Sequence, residues 1–599
     1  MTGKKVELGY DVRRERSSRC ALLLLLSLFL LTLFSQGLAQ TRTRTFPLEA
    51  LQPGQRGYGL SAGAGNLIER FDVEVLALQY DVGTGFPLVL IRASGPLIES
   101  AGGVASGMSG SPVYLPQDGE DTLLGAVGYT FPNSTGGLGL VTPIATMREV
   151  DPASPVATFG PNLAGFIPVQ TPLLLSGLSQ SASQLLRPLF SDEVSLLPLQ
   201  SSGQGGGKTW DDRAYSLEPG SAISVQLVRG DITIAAVGTL TLLEDGKFWA
   251  FGHPLLGSGD VSFALAPAYI TALVPSRTVP FKLADSGSRL LGSVTQDRPY
   301  AISGRLNQKP DFMPVTLTLN GDAGATTKRF EVTRDERFYA PLVAAATLQS
   351  LGELVQETGA GSADLAWEIS LRNGQTVNLL DQISDPKNIA LAAARLAGAP
   401  LDELSRNPFQ KADMTRLELN LTYHREERIG NIVEVVPERQ QLKPGDALRL
   451  NVRLQPFRQG PVVESLSVPL PRGVRGPLRV SVRGGLTPPE PRAGNRAPPL
   501  YSFAELLTAL EQNVQASDLV VEAVIDGHTR LLKRLSLPYT VRGLETLTVT
   551  VGKRQMRATP ASPPAQRPQT PLNPERDPLD SQPPLEPSTG RPRPGTVQK

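Results

Sequence analysis

Apolar positions in this chain recur mostly at every second residue, the spacing of strands with one face turned inward. Phe71-Asp72-Val73-Glu74-Val75-Leu76-Ala77-Leu78 alternates in this way. Pro87 to Ile91, Leu123 to Tyr129 and Leu140 to Ile144 are short apolar runs of buried-strand length, so residues from about 46 to 150 are expected to be strands and turns. Ser176 to Lys208 is rich in Ser, Gln, Leu and Gly and reads as a connector with one short helix. Ser221 to Val228 and Ile232 to Leu243 then predict paired strands in a second β-rich block, over about 215 to 335. Glu244-Asp245-Gly246-Lys247 supplies a hairpin turn, because Asp-Gly tolerates the positive φ of a tight reversal.

Further along, the period changes. Pro341 to Gln356 and Pro386 to Ser405 carry Ala and Leu at helical spacing. Alternation returns from about 414 to 485, as in Arg416 to Leu421 and Leu448 to Leu454, with the turn signal Lys443-Pro444-Gly445-Asp446 between them. This fits a β-sandwich module. Ser502 to Gln515 predicts a helix, with strands to about Val551; beyond Lys553 the Pro-, Gln-, Arg- and Ser-rich tail is expected to be disordered.

Composition narrows the function classes. The chain has 599 residues, too many for one core. Lys and Arg number 58 against 57 Asp and Glu, so there is no basic excess for nucleic acid to meet. The amino terminus has the form of a secretion signal. A basic stretch (Lys4, Lys5, Arg13, Arg14, Arg16, Arg19) precedes an apolar run from Ala21 to Phe34, and Gly37-Leu38-Ala39 offers a cleavage site. The run spans about 21 Å as a helix, short of a bilayer core of about 30 Å, which favours cleavage over anchoring. An uncleaved signal would be the chain's one membrane contact. Cys20 is the sole cysteine. Cleavage after Ala39 leaves a mature chain without disulfides, thiol catalysis or cysteine-bound metal.

Chemistry concentrates in Gly107-Met108-Ser109-Gly110-Ser111-Pro112. A serine nucleophile needs its Oγ on a tight turn with backbone N–H groups converging beside it to hold an oxyanion, and small residues on both sides permit this. The order Gly-x-Ser-Gly-small-Pro matches the Gly-Asp-Ser-Gly-Gly-Pro of chymotrypsin-type enzymes. By that match Ser109 is the nucleophile, and the amides of Gly107 and Ser109 form the oxyanion hole. A plain glycine-rich turn is the alternative. The base must come from three histidines. His424 ends a charged strand and His528 follows Asp526-Gly527 in a turn. His253 sits in Phe248-Trp249-Ala250-Phe251-Gly252-His253-Pro254, an apolar setting that shifts an imidazole's titration, and is the candidate base.

These two stretches resemble the SpoIVB-type serine peptidases. Gly102 to Val113 followed by Leu124-Gly125-Ala126-Val127-Gly128-Tyr129 is similar to that family's serine region, and Val237-Gly238-Thr239-Leu240-Thr241 with Phe251-Gly252-His253-Pro254 to its histidine region. The resemblance covers about residues 50 to 330. It implies a chymotrypsin-like double β-barrel, Ser109 as nucleophile, His253 as base, and cleavage of envelope or intercompartment proteins. Two departures stand out. The serine motif precedes the histidine motif here, a permuted order that triad geometry tolerates. Ser94 occupies the place of the family's aspartate, which leaves Asp260, seven residues after His253, as the candidate third member, with Asp72 and Asp81 as substitutes.

Other motifs are weaker. Gly57 to Gly65 lacks the strand and helix that a phosphate loop needs. Asn133-Ser134-Thr135 is a sequon in form only, and Asp211-Asp212 and Asp381 to Asp385 are too sparse for a metal, so no metal or cofactor is expected. The expected architecture is mainly β, a double β-barrel in permuted order followed by a small helical segment and a β-sandwich-like module. Its parts are a signal peptide (1–39), a serine half (40–160), a connector (161–214), a histidine half (215–335), a helical segment (336–410), a β-sandwich (411–552) and a Pro-rich tail (553–599). The expected function is an exported endopeptidase, periplasmic or secreted, acting on a protein or peptide substrate. A catalytically inactive envelope scaffold with the same fold is the alternative.

Overall fold

The computed structural model describes residues 2–3, 43–79, 85–131, 134, 136–151, 167–190, 195–198, 210–276, 279–322, 324–355, 359–489 and 499–552. The signal segment, Asp81, Asn133, part of the connector and the tail after residue 552 lie outside these.

Six strands form the first barrel: β1 (Arg56–Ala64), β2 (Leu67–Gln79), β3 (Leu88–Ser94), β4 (Pro112–Gln117), β5 (Glu120–Thr130) and β6 (Leu138–Pro143). The alternation read in β2 is the barrel's inside–outside pattern, with Phe71, Val73 and Val75 buried and Asp72 exposed. The ring runs β1-β2-β3-β6-β5-β4, and β4 closes it by pairing back to β1. A short helix, α1 (Pro96–Ala101), and the serine turn occupy the connection from β3 to β4.

After β7 (Ile167–Pro168), β8 (Pro172–Ser176) and β9 (Ser195–Pro198) comes the second barrel. It uses β10 (Ala222–Gly230), β11 (Thr233–Glu244), β12 (Lys247–Ala250), β13 (Gly259–Val274), β15 (Gly292–Arg298) and β16 (Ala301–Leu306), while β14 (Phe281–Ser286) pairs with β13 outside the ring. The predicted hairpin joins β11 to β12, with Asp245 at φ 51° and Gly246 at φ 72°, as a turn needing two positive φ values requires. The ring closes as β10-β11-β12-β16-β15-β13. Taken in chain order, both barrels have the strand order 1-2-3-6-5-4. The protein is mainly β with two closed six-stranded barrels. They pack through Leu123, Ile144 and Met147 against Leu242 and Trp249, and through Ala62 against Val237 and Ile270.

β17 (Phe312–Gly321) and β18 (Gly324–Thr333) carry the second barrel's sheet outward, since β18 pairs with β10. The sheet continues through β21 (Met414–His424), β19 (Gly361–Leu371) and β20 (Thr376–Asp385). Two helices, α2 (Glu336–Val355) and α3 (Ile389–Ser405), pack on each other and on this sheet. Gly398 of α3 lies so close to the Ala340 carbonyl that a methyl group there would come within 2.9 Å of the oxygen. Although α2 is long and apolar enough to cross a membrane, it is mostly buried as a core helix. The segment expected to be helical therefore contains a β-hairpin, because Leu365, Trp367 and Ile369 face inward at every second position. Likewise, Met414–His424, assigned by sequence to the sandwich, joins the barrel-side sheet by parallel pairing with β17.

The sandwich itself starts at Ile429. One sheet orders Val462–Pro469, Ala447–Pro456, Ile429–Pro437 and Thr540–Arg542; the other orders Gln441–Leu442, Leu544–Val551, Gly476–Gly484, Asp518–Ile525 and His528–Ser536. Leu448, Leu450, Val452 and Leu454 meet Val480, Val482, Leu519 and Val521 between them.

Candidate active site

Each barrel brings one chemical group to the joint between them, and each does so on its third-to-fourth connection. In the first barrel this is the serine turn. Gly107 (φ 91°) and Gly110 (φ 92°) occupy left-handed conformations that fold the turn back on itself. Met108 N–H donates to the Ala105 carbonyl at 2.9 Å and Ser111 N–H to the Met108 carbonyl at 3.0 Å. Gly110 N–H donates to Val127 of β5 at 2.8 Å, and Val127 N–H returns a bond to Ser111 at 3.0 Å.

The second barrel grips the same turn. Thr239 N–H donates to the Ser109 carbonyl at 2.8 Å, Thr239 Oγ1 to the Gly107 carbonyl at 3.0 Å, and Thr241 Oγ1 to the Gly110 carbonyl at 2.7 Å. Gly238-Thr239-Leu240-Thr241, read in the sequence as part of the histidine region, thus serves as the clamp on the serine turn. These bonds occupy the turn's carbonyls and leave two of its amides open. Among the described residues, the N–H groups of Gly107 and Ser109 donate to nothing, and Ser109 Oγ has no partner. Ser109 is fully buried.

His253 follows β12. Phe251 (φ 70°) and Gly252 (φ 71°) turn the chain sharply; the left-handed conformation costs a non-glycine residue about 1–2 kcal/mol. Thr142 Oγ1 on β6 donates to the Gly252 carbonyl at 2.6 Å, and Gly128 of β5 lies against that same carbonyl. Gly110 packs against the Phe251 amide, where a methyl group would sit 2.6 Å from the nitrogen. The His253 ring meets the Tyr129 ring edge-on at 6.2 Å. The serine turn and the histidine turn are therefore in direct contact, yet Ser109 Oγ and His253 Nε2 do not hydrogen-bond to each other.

The imidazole's state follows from its contacts. Nδ1–H donates to the Pro254 carbonyl at 2.6 Å, so the proton resides on Nδ1 and Nε2 holds the free lone pair. Burial pulls its pKa down to about 4, while the Pro254 and Val169 carbonyls act in the opposite direction. At neutral pH the imidazole is uncharged, and Nε2 has no hydrogen-bond partner among the described residues.

Asp260 does not supply the acid. Its side chain is 68% exposed and accepts from Arg298 at 2.6 Å, because the β13–β15 pairing turns it outward. Ser94 and Asp72, partners across β2 and β3, are also exposed on the first barrel. The buried acid near the histidine is Asp297 at the end of β15. Its Oδ1 accepts from Leu255 N–H at 2.7 Å, and its Oδ2 from Leu256 and Ser258 N–H at 2.8 and 3.2 Å. Three converging N–H donors suit a carboxylate; burial nonetheless pushes its pKa up, with those amides opposing. The Pro254–Leu255 peptide consequently joins acid to base: its carbonyl accepts from His253 and its N–H donates to Asp297. Sequence reasoning missed Asp297, which looks like one charge among several in Gln296-Asp297-Arg298.

Elsewhere, His424 pairs with Asp364 at 2.7 Å and His528 is exposed at the start of the strand His528–Ser536. A cleft of about 170 Å³ lined by Gly102, Gly103, Ser106, Val169, Gln170 and Pro280 adjoins the turn. Among the described residues, no group of His, Cys, Asp or Glu gathers to hold a metal ion. No protein-family model matches the chain, and no curated protein or solved structure matches it either.

Proposed function

We propose that this chain is an exported serine endopeptidase that cleaves envelope or extracellular proteins, with Ser109 as nucleophile and His253 as general base. The observation that carries this reading is the pair of open N–H groups on Gly107 and Ser109, in a serine turn that packs against the turn of a neutral histidine. In the acylation step, His253 Nε2 takes the Ser109 proton as Oγ attacks the peptide carbonyl. The two amides stabilise the resulting oxyanion, and the imidazolium then gives the proton to the leaving amine. Asp297 stabilises the imidazolium through the Pro254–Leu255 peptide, which its charge polarises. The likeness of the two motifs to SpoIVB-type peptidases supports the same assignment, and the amino-terminal signal pattern supports export to the periplasm or medium.

The serine and histidine are both closed off from solvent, so turnover requires the segments that cover them to move. That closure, with no bond from Ser109 to His253, also favours a second reading, a non-catalytic scaffold that keeps the peptidase fold. A fluorophosphonate probe separates the two. The enzyme reading expects labelling of wild type, none of Ser109→Ala, and strongly reduced labelling of His253→Ala. Folded wild-type protein that takes no label under any condition sinks it.

A further inference from the structure

Lys282 on β14 is fully buried, and no carboxylate forms an ion pair with it among the described residues. Its Nζ lies 2.8 Å from Ser61 Oγ on β1, and Ser111 Oγ lies 2.9 Å from the same oxygen. All three side chains are shut off from solvent. The proton count decides the chemistry. Ser111 gives its hydroxyl proton to Ser61, so Ser61's own proton needs an acceptor. An ammonium at Lys282 would donate to Ser61 Oγ and leave that proton unplaced, whereas a free amine keeps a lone pair on Nζ that can take it. The chain Ser111 to Ser61 to Lys282 is then complete. With an ammonium, Ser61's proton has no acceptor in the chain, and a charge is left in an apolar setting.

This relay is attached to the serine turn at three points. Ser111 is two residues from Ser109. Lys282 N–H donates to the Ser106 carbonyl at 3.0 Å, and Ser106 N–H donates to Pro280 at 2.8 Å. The Lys282 stem also covers Gly107, where an added methyl group would lie 3.2 Å from its Cβ. We propose that Lys282 is a positioning residue whose free amine, through Ser61 and Ser111, holds the turn with the Gly107 and Ser109 amides open, and that a proton on Nζ loosens the turn. The link to reactivity rests on the reading of Ser109 as nucleophile; the link to turn geometry does not.

Burial draws the Lys282 pKa down to about 7, and the Glu69 carboxylate on β2 pushes it back up. The other titratable groups on the elements around it are Arg56 and Tyr58 on β1, Arg70, Asp72 and Glu74 on β2, Glu99 on α1, Glu244 on β11, Asp260 and Tyr269 on β13, and Asp285 on β14 itself; the serine turn carries none. His253 stays neutral down to about pH 4, and Asp297, whose pKa burial raises, holds the histidine loop and not the serine turn, so comparison with Lys282→Met assigns a transition of the serine turn near neutrality.

The test follows hydrogen exchange of the segment 105–112 in the full chain between pH 6 and 8.5, corrected for intrinsic exchange. Alongside it, the rate of fluorophosphonate labelling is measured and the adduct is mapped. Wild type should lose protection below pH 7, approaching tenfold per pH unit, and its labelling rate should fall in parallel. Lys282→Met should show neither pH dependence, and Ser61→Ala, which keeps the amine but cuts the relay, should resemble it if Lys282→Met folds poorly. Protection that stays flat in wild type overturns the proposal whatever the labelling does, as does an adduct mapped to Ser61. Protection that responds while no serine is ever labelled upholds the Lys282 staple and rejects the Ser109–His253 reading.

Discussion

Replacing Asp297 by asparagine keeps the side chain's shape but removes its charge and one acceptor. The carboxylate accepts three N–H bonds, one on Oδ1 and two on Oδ2. The amide can present an oxygen to only one of these groups, so at least one buried N–H is stranded, at about 1–3 kcal/mol. The bonds that survive fall from charge-assisted to neutral, a loss offset by the relieved desolvation of a buried charge. A stability loss of about 1–3 kcal/mol is expected in urea unfolding. Asp297→Ala strands all three donors and should lose more. Chemistry should suffer separately. Without the anion behind it, the Pro254 carbonyl holds the imidazolium less well, and a loss of about 1–2 kcal/mol there slows labelling of Ser109 roughly five- to thirtyfold. The pH dependence has a definite sign. Burial raises the Asp297 pKa, so the native state binds more protons than the unfolded state above the ordinary carboxylate range. The margin of wild type over Asp297→Asn should therefore be greatest in acid and shrink as pH rises through the raised pKa. An asparagine variant within about 0.5 kcal/mol of wild type that labels at the wild-type rate would refute the peptide-bridged role.

Other outcomes follow from the same contacts. Gly110→Ala should fail to fold stably, because the methyl group would lie 2.0 Å from the Thr239 carbonyl oxygen at a φ of 92°; soluble expression and thermal melting check this. Thr239→Val removes the hydroxyl on the Gly107 carbonyl and should cost about 1 kcal/mol, with slower labelling at unchanged probe affinity. His253 has a depressed pKa, so the unfolded state binds more protons between about 6.5 and 4; stability should fall by up to about 3 kcal/mol as pH drops through that window, and His253→Gln should remove the dependence. Asp260→Ala should label at the wild-type rate, since its exposed carboxylate pairs with Arg298 and not with His253.

The barrels were legible because strand alternation in β2 survives as inside–outside burial, because the apolar runs of β10 and β11 are buried on both faces, and because Asp245-Gly246 admits one kind of turn. Ser109 and His253 were legible because small residues crowd around both, and the structure uses those small residues for close backbone contacts at Gly110 and Gly128 and to seat the Phe251 ring on Gly238. Asp297 and Lys282 were not, for a physical reason. In Phe281-Lys282-Leu283-Ala284 a period of two places Phe and Leu inside and Lys outside, but β14 turns Lys282 and Ala284 inward. A strand's pattern names two faces without saying which is covered, and that depends on pairing with β13 and on the serine turn above it. The same limit misplaced Met414–His424, whose alternation was visible while its neighbour β17 was not.

The shared strand order of the two barrels bears on how such a site can be governed. One folding pattern occurs twice, and equivalent connections carry the two halves of the proposed site, the serine turn on one and the histidine turn on the other. Which half is encoded first is then immaterial, since the pair is assembled by docking and not by chain direction. On the proposed reading neither half would be competent alone. Whatever slides one barrel against the other by an ångström, a bound partner or a proton at the seam, would then act on the proposed reaction centre directly, and the seam between the halves would become the point of control.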